Sequence, residues 1–530
     1  MDGNLSIVVA ANFVAHGIRE SLIYWSSELG VSWDIDFSPP DLLIQYLLDP
    51  SRYVAEQNVF VIVLVQLERW IDCAAGIDLA RQQRNFRDLV SAVGKLAHRP
   101  RAKAIIFLTC PPSPTFRDDK MLNDIEIYLQ GCLSLIPGID YVNCLGSDTV
   151  KSALRHTAYF DSYSNDFAQI PYTRLGFAAL GTLVARRLYR YLKKPKKVIV
   201  VDCDNTLWRG ICGERGPTDV VVGQSQRTLQ QFLIEQEKGG RLLFLASKNN
   251  VNDVLDVFDR HSGMALQRSH LAGWLINWKS KSENIKSLAA NLGLGLDSIV
   301  FIDDDAFECE AMRALCPEVL TCELPHDDDD IPAFIQSIWD LDLWDPSMDD
   351  LNRTQYYHDN AQRVRAQQDA LTLDTFISTL ELKIQIGRLR QEEIRRAAQL
   401  SERVNQFNLN GIVKTVLELQ QLLEEKRCYI VSARDRFGDY GIVGMIVLSL
   451  EGDVMRVDSL LLSCRALGRG IERKIVNFLA KTADAEGAHK LQFAYIPTTR
   501  NRPLYELLLS IGVCNFQGEW LVTLQRNLMS

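Results

Sequence analysis

The sequence predicts a multidomain α/β protein. Short β-branched apolar runs alternate with longer helical stretches, the pattern of βαβ units with mostly parallel sheets. Several of these runs end directly in acidic or hydroxyl residues, where open α/β sheets bind ligands. At 530 residues the chain is too long for one core, and roughly two to four domains are expected.

Composition excludes several classes. With 47% hydrophobic and 24% charged residues the chain reads as ordinary soluble protein. A net charge of -9 offers no footprint for nucleic acid. The opening Met-Asp-Gly-Asn-Leu-Ser has no basic region of a signal peptide. The apolar run from Asn58 to Val65 is far too short to span a membrane. The 12 cysteines form no CxxC pair, so a reduced, cytoplasmic setting is expected rather than disulfides or zinc.

The first domain is expected over about residues 1–190. Strands are predicted from Leu5 to Ala10, Phe60 to Leu64 and Ala104 to Thr109, and helices from Ile18 to Leu29 and Gln82 to Leu96. The segment Arg186 to Lys197 carries seven basic residues around Pro195 and reads as an interdomain hinge.

The central domain is expected over 196–345. Val198 to Val201 is a buried strand that runs into Asp202-Cys203-Asp204. At a strand end, residues two apart point the same way, so both acids are expected to face one point and to favour a hard cation such as Mg²⁺. A second strand, Arg241 to Ala246, ends at Ser247-Lys248-Asn249-Asn250. Lys281 stands in a loop before a helix, with Lys279 as its fallback. A third strand, Ser298 to Ile302, ends at Asp303-Asp304-Asp305. Acid pair, hydroxyl, lysine, acid pair is the order of the haloacid dehalogenase (HAD) superfamily, which this stretch resembles.

A helical connector follows over 346–372, then a third domain over 373–530. Its strands are predicted from Leu382 to Ile386, Cys428 to Ser432, Gly444 to Leu450, Val454 to Leu462 and Leu491 to Tyr495, with a helix from Gln391 to Asn405. Cys464 and Arg465 lead through Gly468-Arg469-Gly470 into a helix from Ile471 to Ala485. A strand, a glycine loop and a helix N-terminus form a cradle for a pyrophosphate or phosphopantetheine arm. The order resembles the acyl-CoA site of the GNAT N-acetyltransferase fold, with Asn501 and Tyr505 one strand later.

The chain as a whole resembles the FkbH-like family, HAD-related proteins of polyketide biosynthesis. The segments that carry this are Leu67-Glu-Arg-Trp70, Ile170-Pro-Tyr-Thr173, Asp202-Cys-Asp-Asn-Thr-Leu-Trp208, Ser247-Lys-Asn-Asn250, Arg403-Val-Asn-Gln-Phe-Asn408, Phe437-Gly-Asp-Tyr-Gly441 and Ser463-Cys-Arg465 with Gly468-Arg-Gly470. The resemblance implies an SGNH-hydrolase-like N-terminal domain, a HAD-like Rossmannoid domain and a GNAT-like α+β domain. It also implies transfer of the glyceryl group of D-1,3-bisphosphoglycerate to the phosphopantetheine thiol of an acyl carrier protein, with release of phosphate. Asp202, the backbone of Asp204 and Asp303 would then hold Mg²⁺ with Asp304 supporting, Thr206, Ser247 and Lys281 the phosphate, and Arg465, Gly468, Arg469 and Gly470 the phosphopantetheine. In a plain HAD phosphatase Asp202 would attack phosphorus and Asp204 protonate the leaving group.

One feature departs from the family, and others from an SGNH-type site. Gln169 stands where the family has histidine before Ile-Pro-Tyr-Thr, and no Gly-Asp-Ser nucleophile opens the chain. Asp161 is present, but the nearest histidine, His156, precedes it. The first domain therefore reads as a non-hydrolytic structural or docking module. Cys203, between the acids, and Cys464, beside the cradle, are both candidates for an acyl thioester, with Cys203 favoured by proximity. Cys203 is equally a small buried hydrophobe, and direct attack by the carrier thiol needs neither cysteine. A plain Mg²⁺-dependent phosphatase and a non-catalytic carrier-docking scaffold remain as alternative functions.

Overall fold

The computed structural model describes residues 5–49, 59–71, 79–97, 102–116, 119–136, 138–144, 159–193, 195–343, 355, 357, 359, 379–404, 406–463, 466–498, 501–516 and 519–523. Three sheets organise them. The chain divides into two compact units, Met1–Leu192 with Lys414–Glu425, and Lys193–Val413 with Lys426–Ser530.

The first unit holds β1 (Leu5–Ala11), β2 (Trp33–Phe37), β3 (Val59–Gln66), β4 (Ala102–Cys110) and β5 (Ile139–Asn143). They form a five-stranded parallel sheet in the order β2-β1-β3-β4-β5. The run Val-Phe-Val-Ile-Val-Leu-Val-Gln of β3 is buried throughout, as a central strand covered on both faces must be. Two expectations are corrected here. The basic segment from Arg186 is not all hinge: it begins inside the helix Arg174–Leu192, where Leu188 is buried and Arg187 pairs with Asp140 at 3.3 Å. The third domain is also not continuous, because the helix Val416–Glu425 belongs to the first unit and adds Leu417 to its core.

The second sheet comprises β6 (Val198–Val201), β7 (Leu242–Ser247), β8 (Gly273–Ile276), β9 (Ile299–Asp303) and β10 (Leu320–Glu323), parallel in the order β10-β9-β6-β7-β8. Period-two alternation decides which core each residue joins. Ile199 and Val201 join Leu207, Trp208 and Leu233, whereas Val198 and Val200 join Ile285, Phe301 and Met312.

The third sheet comprises β11 (Lys383–Arg388), β12 (Arg427–Asp435), β13 (Gly438–Glu451), β14 (Val454–Leu462), β15 (Lys490–Phe493), β16 (Cys514–Phe516) and β17 (Glu519–Thr523). Its order is β11-β12-β13-β14-β15-β17-β16, antiparallel except for the β14–β15 pair. That parallel pair covers only Val454 to Val457 against Lys490 to Phe493. Beyond it the chain's own segment Phe407–Leu409 bonds the open edge of β14: Leu409 N donates to Leu460 O at 2.9 Å, and Leu462 N donates to Phe407 O at 2.9 Å. Among the described residues no helix is long and apolar enough to cross a membrane.

Candidate active site

The site forms at the carboxyl edge of the second sheet, where β6 and β9 lie side by side. Asp202 follows β6 and Asp303 ends β9; both are buried. Carboxylate oxygens of Asp202, Asp303 and Asp304 lie within 4.8 Å of one another. Lys281 Nζ sits between two of them, donating to Asp202 Oδ1 at 2.6 Å and to Asp303 Oδ2 at 2.6 Å. Lys281 opens the helix Lys281–Leu292, whose Ser280 cap accepts from Glu283 N. A cation at a helix N-terminus opposes the macrodipole, so the two carboxylates supply the compensation. Thr206 Oγ1 donates to Asp304 Oδ1 at 2.8 Å and sets that carboxylate.

The electrostatics follow from burial. Burial pushes the Asp202 carboxyl well up, with Lys281 opposing and Asp303 adding to the rise. Burial also pushes Asp303 up, again against Lys281. Burial disfavours the Lys281 ammonium, but Asp202 and Asp303 together hold it above its usual value. A cluster of three carboxylates with a single interposed ammonium has room for further positive charge, and an all-oxygen donor set suits Mg²⁺.

Asp204 is placed differently from expectation. Its Oδ1 accepts from Trp208 Nε1 at 2.9 Å and from Cys212 N at 2.9 Å, and its Oδ2 accepts from Asn249 Nδ2 at 2.8 Å. The strand ends at Val201, Leu207 N donates back to Cys203 O, and Asn205 takes a φ of 58°. The period of two is therefore lost before Asp204, and the two acids do not share one point. Cys203 is also corrected. Its side chain lies in the core with Leu207 and Trp208, and burial, with Asp202 and Asp204 nearby, pushes the thiol well up. A fully buried thiol of this kind is a packing residue rather than a thiolate nucleophile.

Ser247 ends β7, buried, at the same edge of the sheet. Lys279 is exposed and is not part of the cluster. Sequence reasoning gave no role to Trp208 or Asn249, although both lie in segments it singled out.

In the third sheet the cradle is more self-contained than expected. Cys464 and Arg465 lie outside the described residues. Gly470 caps the helix Ile471–Ala485 with a φ of 81°, and Gly468 has a φ of 72°. Gly468 N donates to Glu472 Oε1 at 2.6 Å, so an acid of the chain already occupies one of the loop's N–H groups. The Arg469 guanidinium stacks over the Tyr440 ring, 5.0 Å from its centroid. Asn501 is buried and ties Asn408 O (3.1 Å) to Ile496 O (2.9 Å) through its amide, which is an architectural role. In the first unit Asp161 caps the helix Ser162–Ala168 and Gln169 ends it with a φ of 58°; His156 lies outside the described residues.

No family model and no curated protein matches the chain. Among solved structures it resembles the N-terminal part of protein BF1531 from Bacteroides fragilis, which contains a phosphatase domain and is complexed with Mg. The identity is 19% and the TM-score 0.54, over 64% of this chain and 94% of that one, which shows a shared fold. It is also similar to the ribosomal-protein-S18-alanine N-acetyltransferase of Escherichia coli, at 11% identity and a TM-score of 0.22 over 26% of this chain and 80% of that one. A third likeness is to Rv2747 from Mycobacterium tuberculosis, in complex with CoA and NLQ, at 18% identity and a TM-score of 0.21 over 25% of this chain and 73% of that one. The chain is thus a multidomain α/β protein, one of whose solved neighbours contains a phosphatase domain.

Proposed function

We propose that the chain is an enzyme that takes the acyl phosphate D-1,3-bisphosphoglycerate, releases phosphate and delivers the glyceryl group to the phosphopantetheine thiol of an acyl carrier protein. The observation that carries this reading is the cluster of Asp202, Asp303 and Asp304 with Lys281 between, at the carboxyl edge of a parallel sheet. Mg²⁺ bound by those carboxylates would neutralise charge on the phosphate oxygens. Lys281 is placed to share that charge once phosphate displaces one of its carboxylate partners. The carrier sulfur attacks the carbonyl carbon, a C–S bond forms and the C–O bond to phosphate breaks. Phosphate leaves with the electron pair, and the thiol proton ends on it.

The first sheet then serves as a structural or docking module. The third sheet supplies the carrier-facing domain: a parallel pair that stops short, followed by a glycine loop into a helix, is the order expected for an acyl-carrier arm. With Cys203 in the core, direct attack by the carrier thiol is the favoured route. The second reading is a Mg²⁺-dependent phosphatase acting on a small phosphorylated metabolite, favoured by the phosphatase domain of the Bacteroides neighbour. Asp202→Asn distinguishes a working cluster from a structural one. It is expected to lower carrier loading by about a hundredfold or more while circular dichroism stays unchanged; unaltered loading by the folded variant would refute the site.

A further inference from the structure

The segment between β6 and the helix Gln224–Lys238 makes a small flap, closed by an antiparallel bridge between Arg209 and Val221. Asp204 lies at its root. Three donors from separate places converge on its carboxylate: the Trp208 indole, the Cys212 backbone at the start of the helix Cys212–Arg215, and the Asn249 amide beyond β7. Their orientations are determined. Trp208 is fully buried, with its ring edge-on to Phe258 at 6.0 Å. Asn249 accepts from Asn250 N at 2.7 Å through Oδ1, so its Nδ2 must be the atom facing Asp204. All three groups present N–H, and the carboxylate accepts from each.

Asp204 stands two residues after Asp202, where a hydrolase working through an Asp202 phosphoenzyme would need its proton-transfer group. In such a hydrolysis Asp202 attacks phosphorus and the P–O bond to the acyl oxygen breaks. The carboxylate leaves with the electron pair. A water must then attack the aspartyl phosphate and give its proton to a base. Instead, Oδ1 of Asp204 is turned to the flap, and Oδ2 to Asn249 in the loop after β7. We infer that Trp208 and Asn249 are positioning residues that hold Asp204 as the anchor of the flap, away from the reacting atoms, and so spare a bound acyl phosphate from hydrolysis. This rests on the reading of the acid cluster as the phosphate site. Transfer does not need the held group, because phosphate itself takes up the thiol proton.

The test measures phosphate released from acetyl phosphate with Mg²⁺ and no carrier, by the full-length chain and by Trp208→Phe, Asn249→Ala, and each of these combined with Asp204→Asn. Freeing the carboxylate is expected to raise release by about tenfold or more, and the added Asp204→Asn is expected to cancel the gain. Loss of packing alone would give neither the gain nor its cancellation. Folded single variants that release phosphate no faster than the parent would overturn the clamp, as would a parent whose own hydrolysis already depends on Asp204. Carrier loading, followed separately by mass, tells the two readings apart. Loading that persists while the gain is absent sinks only the clamp. A parent that cannot load a holo carrier sinks the transfer reading whatever the variants release.

Discussion

Lys281 shows how much one residue can set. Its ammonium is buried between two buried carboxylates, and an uncompensated charge in that position would be costly. Glu126 is the opposite case. It is buried in the first unit, accepts from Thr109 Oγ1 at 2.7 Å and Tyr141 OH at 2.8 Å, and leaves Oε2 without a hydrogen-bond partner. Burial raises its carboxyl above the usual range against those two donors. A raised folded value means the folded state keeps the proton longer. Its stabilising contribution is therefore complete below the unfolded carboxylate range and is lost as pH rises through the folded value. Glu126→Gln is expected to remove that slope and to stabilise the first unit at neutral pH by on the order of 1 kcal/mol. Denaturant unfolding of the full chain at mildly acidic and mildly alkaline pH, with peptide-resolved labelling of β4 and β5, checks this. An unchanged slope would mean that Glu126 is charged in the fold. At this scale the positions of Asp202, Ser247, Lys281 and Asp303 in the fold were readable, because each ends or follows a strand or opens a helix. The turning away of Asp204 was not, since it depends on the φ of Asn205 and on Asn249, which comes from another strand's loop.

Two strands were legible to their bounds, the continuous apolar run Val198 to Val201 and the mixed run Val454 to Leu462. The edge strands of the two parallel sheets were not. Trp33–Phe37 and Leu320–Glu323 each pair on one side only, are short and carry acids, so they leave little hydrophobic signal. The basic stretch from Arg186 misled because charge dominates its composition, whereas its first part completes the helix Arg174–Leu192 and buries Leu188. The glycine loop before Ile471–Ala485 was legible as a turn but not its internal bond, which takes Glu472 back onto Gly468 N. Glu472 holds an N–H and places a negative charge where a phosphate-bearing arm is proposed to lie. Glu472→Ala is expected to tighten binding of a holo carrier by about threefold, most clearly at low salt, with no gain for the carrier lacking its arm. Titration of both carrier forms measures it, and an equal effect on both would place the arm elsewhere.

For the whole molecule the sequence did not reveal that the first unit is discontinuous. Nothing in Val416–Glu425 distinguishes a helix of the third domain from one that leaves it; only the packing of Leu417, 4% exposed and close to Gly138, does so. Leu417→Ala is expected to destabilise the first unit by about 2 to 4 kcal/mol. Hydrogen exchange would then speed up in β3 and β4, far away in sequence, and unchanged exchange there would contradict the assignment. In the proposed function an acid cluster and a carrier-facing domain in one chain convert an acyl phosphate into a carrier thioester. Intact-protein mass spectrometry of a cognate holo carrier tests it most directly, after incubation with the chain, D-1,3-bisphosphoglycerate and Mg²⁺. The carrier is predicted to gain one glyceryl group, with phosphate released in step. A carrier of unchanged mass, with free glycerate and phosphate in solution, would contradict the account.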